Sequence, residues 1–479
     1  MNKPTTVFVS GLFNILHPGH LRLLRSAKEY GSRLIVAVLS DRLAGVGAHL
    51  PENLRLEGVQ SHALVDEAFI ADEPIADVIY RIRPEIVMKG KEHELRQNPE
   101  LNALKHYGGR LVFSSGETLF SSLDLIRREF QVFDRRSISL PIDYLSRHAI
   151  DKHRLASLLN SFANLKICVV GDLIIDEYIT CEPLGMSQEE PTIVVMPVDS
   201  TRFVGGAGIV AAHAAGLGAA SVKFISVAGD DAARNYALNS LTAAGVDAKL
   251  ILDESRPTTL KQRYRSKGKS LLRVSHLHQS AISARLQKHI LLAVGEALED
   301  SSLLVFSDFN YGCLPQSLVD QIVLMAKSLN VFLAADSQSS SQIGDISRFK
   351  GMNLITPTER EARISMQNRE DGLVVLAEQL RDHSKAQNVL LKLGEEGLMI
   401  HAGVCKGDGW ITDRIDALNR AAKDEAGAGD SLLIASSMAL ACGGNIWEAA
   451  CLGSLAAAVQ VGRVGNTPLR REELLRELS

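Results

Sequence analysis

The chain has 479 residues, 46% of them hydrophobic and 23% charged, which excludes a disordered or fibrous protein and exceeds what one hydrophobic core supports. Its formal net charge of -4 at pH 7 supplies no global basic field, so nucleic acid and anionic membranes are not expected as partners and any phosphate must be held by local loops. The six cysteines, Cys168, Cys181, Cys313, Cys405, Cys442 and Cys451, show no C-x-x-C pairing and predict buried free thiols in a reducing compartment. Without a cleavable apolar leader or a long apolar run, a cytoplasmic location is expected.

In chain order, Val7-Phe8-Val9, a helix from about His20 to Tyr30, and Leu34 to Val38 form the first strand, helix and strand of a parallel sheet. Ile86-Val87-Met88 and Arg110 to Phe113 add strands, and a helix is expected after Ser121-Ser122. The first domain is expected to span 1–130. Residues 131–150 carry little periodicity and read as a linker, and 151–163 reads as an amphipathic helix. Buried strands at 167–170, 223–227, 303–307, 331–335 and 389–392 place residues 151–479 in one larger α/β domain. Segments 191–204 and 257–275 are richer in Thr, Val, Arg and Lys and predict a small β-lid on that sheet.

Two loop-to-helix junctions carry the chemistry. Near the N-terminus, Gly11-Leu12-Phe13-Asn14-Ile15-Leu16-His17-Pro18-Gly19-His20 brings two imidazoles to a helix start, where unpaired N–H groups and the positive dipole end attract phosphate. Near the C-terminus, Asp424-Glu425-Ala426-Gly427-Ala428-Gly429-Asp430 lets successive N–H groups converge on an anion. Asp430 at the helix start is placed to take a proton from a substrate hydroxyl. Either pattern alone equally describes an ordinary helix cap behind a glycine-rich loop.

The first stretch resembles the G-x-F-D-x-x-H-x-G-H pattern of the nucleotidyltransferase superfamily in Gly11, Phe13, His17, Gly19 and His20, with Asn14 where that family usually has Asp. Strand Arg33 to Leu39 with the following Asp41, the strand ending in Lys89-Gly90, and Thr118 to Ser122 resemble further family segments. The resemblance implies a Rossmann-like parallel-sheet domain. His17, His20 and Lys89 would stabilise phosphate charge, and Ser121 and Ser122 would hold nucleotide phosphates. It implies attack of a sugar phosphate on the α-phosphate of ATP or CTP with Mg²⁺.

The second stretch resembles the D-T-x-G-A-G-D signature of the ribokinase family of sugar kinases, in which the glycines form an anion hole and the last aspartate is the base. Asp176 in the first strand, the Gly205-Gly206 turn, Asp308, and the Lys392-Leu393-Gly394 segment follow that family's order over about 165–475. The resemblance implies a ribokinase-like α/β fold with Asp176, Gly205 and Gly206 at the sugar. Lys392, Gly394, Asp424, Gly427, Ala428 and Gly429 would lie at the nucleotide and phosphate, Asp430 would be the base, and Glu361 a Mg²⁺ contact. Gly171 to Val195 and Gly453 to Gly465 resemble the bifunctional heptose-phosphate kinase and heptose-1-phosphate adenylyltransferase family of nucleotide-sugar synthesis for lipopolysaccharide, here with the two halves in inverted order. Ile209 stands where the kinase pattern G-G-A-x-N has Asn, and Thr358 where N-x-x-E has Asn.

These observations support a two-activity enzyme acting on a sugar phosphate and a nucleotide, with pairing into a homodimer through the lid. Two alternatives stay open: an active transferase joined to a degenerate kinase scaffold, and a non-catalytic nucleotide-sugar sensor. The last leaves a general base such as Asp430 without a purpose.

Overall fold

The computed structural model describes residues 5–14, 16, 18–45, 48, 50–90, 98–113, 138–266, 269–338, 344–403, 411–419 and 421–479. They fall into two compact units, 1–135 with 367–376, and 136–366 with 377–479.

The first unit carries a five-stranded sheet built from β1 (Thr6–Gly11), β2 (Arg33–Leu39), β3 (Glu67–Ala71), β4 (Ile86–Lys89) and β5 (Arg110–Phe113), in the order β3-β2-β1-β4-β5. Every pairing is parallel. Val7, Phe8 and Val9 are all buried because one side chain faces each layer: Val7 and Val9 pack with Leu24 and Val36, Phe8 with Ile79 and Leu104. The strand order reverses between β1 and β4, so the loops leaving their carboxyl ends open the crevice in which such sheets bind ligands.

The second unit contains a nine-stranded sheet in the order β10-β9-β6-β13-β14-β15-β16-β17-β18. Its strands are β6 (Lys166–Gly171), β9 (Ser221–Ala228), β10 (Asp247–Leu252), β13 (Leu303–Asp308), β14 (Phe332–Ser337), β15 (Leu354–Ile355), β16 (Asn388–Lys392), β17 (Leu398–His401) and β18 (Thr412–Ile415). It is parallel up to β16, then β17 and β18 run antiparallel. The reversal of order falls between β6 and β13. The expected lid is a separate four-stranded sheet, β12-β11-β7-β8, of β7 (Leu173–Met186), β8 (Ile193–Gly206), β11 (Thr259–Ser266) and β12 (Lys269–His276). One face of the main sheet is covered by helices Ala428–Ala441 and Ile446–Val461, whose small residues bury nearly all of their surface.

Some elements differ from the sequence expectation. Ile142–Arg147, in the stretch that reads as aperiodic, is a helix: Tyr144 and Leu145 are buried, and the Tyr144 hydroxyl donates to the Trp447 carbonyl at 2.9 Å. Its two apolar anchors are too few to produce a visible period. β3, β10, β15, β17 and β18 are strands beyond those expected from the sequence. The helix Ile446–Val461 stops short of Gly465, which takes φ +77° in the following loop.

Gly171 closes β6 so tightly against β13 that an added Cβ would overlap the Ser307 carbonyl oxygen and press on Ala207. Gly171→Ala is expected to cost about 1–3 kcal/mol through overpacking, measured as a lower urea midpoint at unchanged slope; an unchanged midpoint would refute the close approach.

Candidate active sites

In the second unit the carboxyl ends of the strands collect charge. β6 leads into Asp172, whose carboxylate accepts hydrogen bonds from the backbone N–H groups of Phe309 at 2.8 Å, Cys313 at 3.2 Å and Tyr311 at 3.3 Å. Burial, then the neighbouring Asp308, lifts the Asp172 carboxyl to about 6. Asp172 thus staples the turn after β13, while Asp176 on β7 is left for the site. Buried Asp176 accepts from Asn466 Nδ2 at 3.2 Å and faces Arg263 Nη2 at 3.9 Å. A Cβ on Gly205 would overlap the Asp176 carboxylate, so the turn at 205–206 must begin with glycine. Gly206, at φ +59°, then starts the helix Ala207–Gly216.

Gly427 adopts φ +76° and turns the chain into the helix Ala428–Ala441, whose first turn holds Gly429 and Asp430. The free N–H groups of a first turn give this end its anion-attracting character. Asp430 is buried, and its Oδ1 has no hydrogen-bond partner among the described residues. Burial first, then the nearby Asp336 and Asp176, lifts its carboxyl to about 7 against the pull of Lys392 and Lys261. Lys392, the last residue of β16, places Nζ 2.9 Å from both oxygens of Asp336 at the end of β14. Burial disfavours its charge, but Asp336 and Glu361 outweigh burial and keep it protonated. An added Cβ on Gly429 would lie 3.2 Å from Lys392 Nζ, so the ammonium abuts the first turn beside Asp430.

Asp424 braces the loop before the glycines. It accepts from the Tyr178 hydroxyl at 2.9 Å, Gly465 N at 3.0 Å and Ala426 N at 3.2 Å. Burial raises its carboxyl, but these bonds outweigh that and hold it low. Gly394, at φ +62°, follows β16 in a short turn. Glu361 is buried and forms a reciprocal cap with Thr358: Thr358 N donates to Glu361 Oε2 at 2.7 Å and Glu361 N to Thr358 Oγ1 at 3.2 Å. Thr358 therefore supplies the capping oxygen that an Asn would supply. No group of three His, Cys, Asp or Glu among the described residues forms a metal cage. The carboxylate of Glu361 suits an ion that keeps most of its waters and phosphate ligands, as Mg²⁺ does.

The lid adds cations. On β11, Lys261, Arg263 and Arg265 alternate and lie in register with Asp176, Tyr178 and Thr180 of β7. Arg263 and Arg265 lie 5.3 and 5.0 Å from the Tyr178 ring centre, and Lys261 lies 5.4 and 5.1 Å from those of Phe309 and Tyr311.

In the first unit, Gly11 ends β1, and Phe13, buried at φ 48°, sets its ring 4.9 Å from that of His20 in the helix Pro18–Tyr30, the two planes tilted by 47°. Asn14 is buried beside it and Gly19 lies in the helix's first turn. The loop is held by Arg55, whose side chain is fully buried and donates to Leu12 O at 2.7 Å, Leu50 O at 2.9 Å and Asp41 Oδ1 at 2.6 Å. Lys89, at the end of β4, pairs with Glu100 at 2.8 Å. His17, Ser121 and Ser122 lie outside the described residues.

Residues 164–472 match the pfkB family carbohydrate kinases. The chain belongs to that family. Residues 8–105 match the cytidylyltransferase-like family, so a pfkB domain follows a cytidylyltransferase-like one. Relatives of the chain include two named bifunctional protein HldE. That of Desulfatibacillum aliphaticivorans is 30% identical over 322 residues, and that of a Nitratiruptor species 31% over 313. These matches take in 66% and 64% of this chain, and 64% of each relative's length. Among solved structures, ribokinase of Arabidopsis thaliana complexed with ribose and ATP aligns at TM-score 0.51 and 19% identity, over 66% of this chain and 99% of that one. Phosphofructokinase-2 of Escherichia coli in complex with potassium aligns at TM-score 0.53 and 16% identity, over 66% and 98%. At these identities the structures speak for the pfkB fold alone.

The pfkB site brings Asp176, Gly205, Lys392, Asp424, Gly427, Gly429 and Asp430 together. Asp336, Asn466 and the β11 cations escape sequence reasoning. Asp336 had a signal, a polar residue ending the apolar run Leu333-Ala334-Ala335. Asn466 had none, since its partner is 290 positions away.

Because folding raises the Asp430 carboxyl from 3.8 to about 7, the native state binds an extra proton in that window, and stability falls as pH rises through it, by at most roughly 1.4 kcal/mol per pH unit. Asp430→Asn removes this contribution. Urea unfolding at pH 5 and pH 8 should show the variant gaining on the parent at the higher pH; an equal difference at both would refute the shift.

Proposed function

We propose that the chain is a two-activity enzyme of nucleotide-sugar synthesis, with a nucleotidyltransferase in 1–130, a linker at 131–150 whose helix Ile142–Arg147 packs onto the core of the second unit, and a sugar kinase in 151–479. The observation that carries the kinase reading is Asp430, a buried carboxylate with an open oxygen at a helix N-terminus, flanked by Lys392 and facing Asp176. Asp176 binds and orients a sugar hydroxyl, and Asp430 accepts the proton of the hydroxyl that attacks. The hydroxyl oxygen then bonds to the γ-phosphorus of ATP, the bond to the bridging oxygen breaks, and ADP leaves. The first-turn N–H groups around Gly427, Ala428 and Gly429 and the Lys392 ammonium meet the charge that develops on the phosphoryl oxygens. When bound with the nucleotide, Mg²⁺ neutralises phosphate charge, with Glu361 on its side of the site.

The row Lys261, Arg263, Arg265 beside Asp176 favours a sugar that already carries a phosphate. With the resemblance of Gly171 to Val195, this points to a heptose 7-phosphate type of substrate phosphorylated at the anomeric hydroxyl. In the N-terminal half, a sugar 1-phosphate oxygen attacks the α-phosphorus of ATP and pyrophosphate leaves, giving an ADP-heptose-like product. His17, His20 and Lys89 stabilise the phosphates there, Lys89 exchanging Glu100 for phosphate. A phosphatase must act between the two steps to remove the original phosphate.

We further propose a cytoplasmic homodimer. No helix among the described residues is long and apolar enough to cross a membrane. The outer end of the lid exposes the apolar side chains of Leu184, Met186, Ile193, Met196 and Val198, which a second copy of the lid would cover.

Asp430→Asn is expected to lower sugar-phosphate-dependent ATP consumption about 10²–10⁴-fold while leaving nucleotidyl transfer intact. Since the ionised carboxylate is the base, kinase kcat/KM in the parent should rise with pH and level off above about 7. A mass-resolved assay with heptose 7-phosphate or heptose 1-phosphate, and ATP or CTP, checks both. Full kinase activity in the variant would sink the mechanism, and a nucleotide sugar without any bisphosphate would favour the degenerate-kinase alternative. Lys89→Ala should do the converse, weakening transfer at least about tenfold through loss of a phosphate contact while kinase turnover holds.

A further inference from the structure

Asn466 lies in the loop after the helix Ile446–Val461, where it is only 7% exposed. Its Nδ2 donates to Asp176 Oδ2 at 3.2 Å, while its Oδ1 has no hydrogen-bond donor among the described residues. The orientation follows from charge: turning the amide would set its oxygen against a carboxylate. Glycines surround it. A Cβ on Gly427 would lie 2.5 Å from Oδ1, and one on Gly205 would lie 3.3 Å from Nδ2. The amide therefore sits where the sugar turn, the aspartate placed at the sugar and the hinge of the Asp430 helix meet. A buried acceptor without a donor is costly, and one beside Asp176 invites a donor brought by the ligand.

The position also meets a need created elsewhere in the fold. Ile209, standing where the kinase pattern has Asn, is apolar and 1% exposed, so position 209 offers no amide to the sugar. Asn466 brings an amide to the Asp176 carboxylate from a loop 257 positions further along the chain.

We propose that Asn466 is a specificity-determining residue of the sugar site: Nδ2 fixes the Asp176 carboxylate, and Oδ1 accepts a hydrogen bond from a substrate hydroxyl next to the one that Asp176 holds. This rests on the kinase reading above. A site built to pair a hydroxyl rejects the analogue that lacks it, because its own buried group is then left unpaired.

The test uses the full chain with heptose 7-phosphate and a series of its mono-deoxy analogues, measuring ATP consumption. Asn466→Ala is expected to raise the sugar KM about tenfold or more while the ATP KM stays within about twofold. The parent should discriminate against one deoxy position, and the variant should lose that discrimination. Asn466→Asp is isosteric and guards against a folding failure. It keeps an acceptor but sets a second carboxylate against Asp176, so its sugar KM should rise at least as much. No sugar-dependent turnover in the parent would defeat the kinase reading itself. Normal parent activity with an unchanged sugar KM in Asn466→Ala, or with unchanged deoxy discrimination, would overturn the role of Asn466 alone. A changed dependence on monovalent cations at constant sugar KM would also overturn it, assigning Oδ1 to an ion.

Discussion

The organisation of the pfkB domain turns on one buried cation. Lys392 lies among Asp336, Glu361 and Asp430 at the carboxyl edge of the sheet, where an isolated charge of either sign would be strongly disfavoured. Asp430, with neither oxygen tied to Lys392, has its proton affinity raised by burial first and then by the negative charge of Asp336. The Asp336–Lys392 pair is thus weak support for stability and strong support for a site. It holds a cation rigidly against the helix turn where an anion would rest, and removing either partner would strand the other.

A second constraint knits the glycine loop in place. Asp424 ties it to Tyr178 of the lid and to Gly465, while Gln460 Nε2 donates to the Ala426 carbonyl at 3.1 Å and the Gly465 carbonyl at 3.0 Å. Segments near 176, 424 and 465 are far apart in sequence, yet each supplies a partner to the other two. A chain that lacked any one would leave buried polar groups of the others unpaired, so the loop, the lid strand and the C-terminal turn form as a unit. The N-terminal site shows the same economy on a smaller scale. There, the single buried guanidinium of Arg55 holds the carbonyls of Leu12 and Leu50 and the carboxylate of Asp41, fixing the loop that leads from Gly11 to His20.

How much of this was legible follows from the range of each interaction. Most of the parallel strands announce themselves as continuous apolar runs because both faces are covered, whereas β3 and β10, only partly buried, and the two-residue β15 do not; the two glycine hinges are visible because the special backbone and the chemistry lie within a few residues. The lid was legible from β-branched and basic composition. The helix at Ile142–Arg147 was hidden because its Tyr144 is anchored on Trp447, 303 positions away. Thr358 stands where the kinase pattern has Asn, and its hydroxyl makes a reciprocal cap with Glu361, an interaction in which threonine and asparagine are near equivalents. Lys89 was legible as a cation at a strand end, but its pairing with Glu100 was not, since the acidic partner comes from the next helix.

Ile209 and Asn466 carry that lesson furthest. Read along the sequence, an apolar residue at 209 subtracts an amide from the sugar site. Read in space, an amide stands against Asp176 all the same, delivered by the turn at Gly465 that also braces Asp424. Substituting one position in a motif removes a side chain, but the site's requirement is for a donor at a carboxylate and an acceptor at a hydroxyl, and any loop that reaches that point can meet it. The loop at 461–466 reaches it because Gly465, at φ +77°, turns the chain inward over the phenyl ring of Phe203, where an added Cβ would collide. The glycine therefore serves the sugar site through the direction it gives its neighbour.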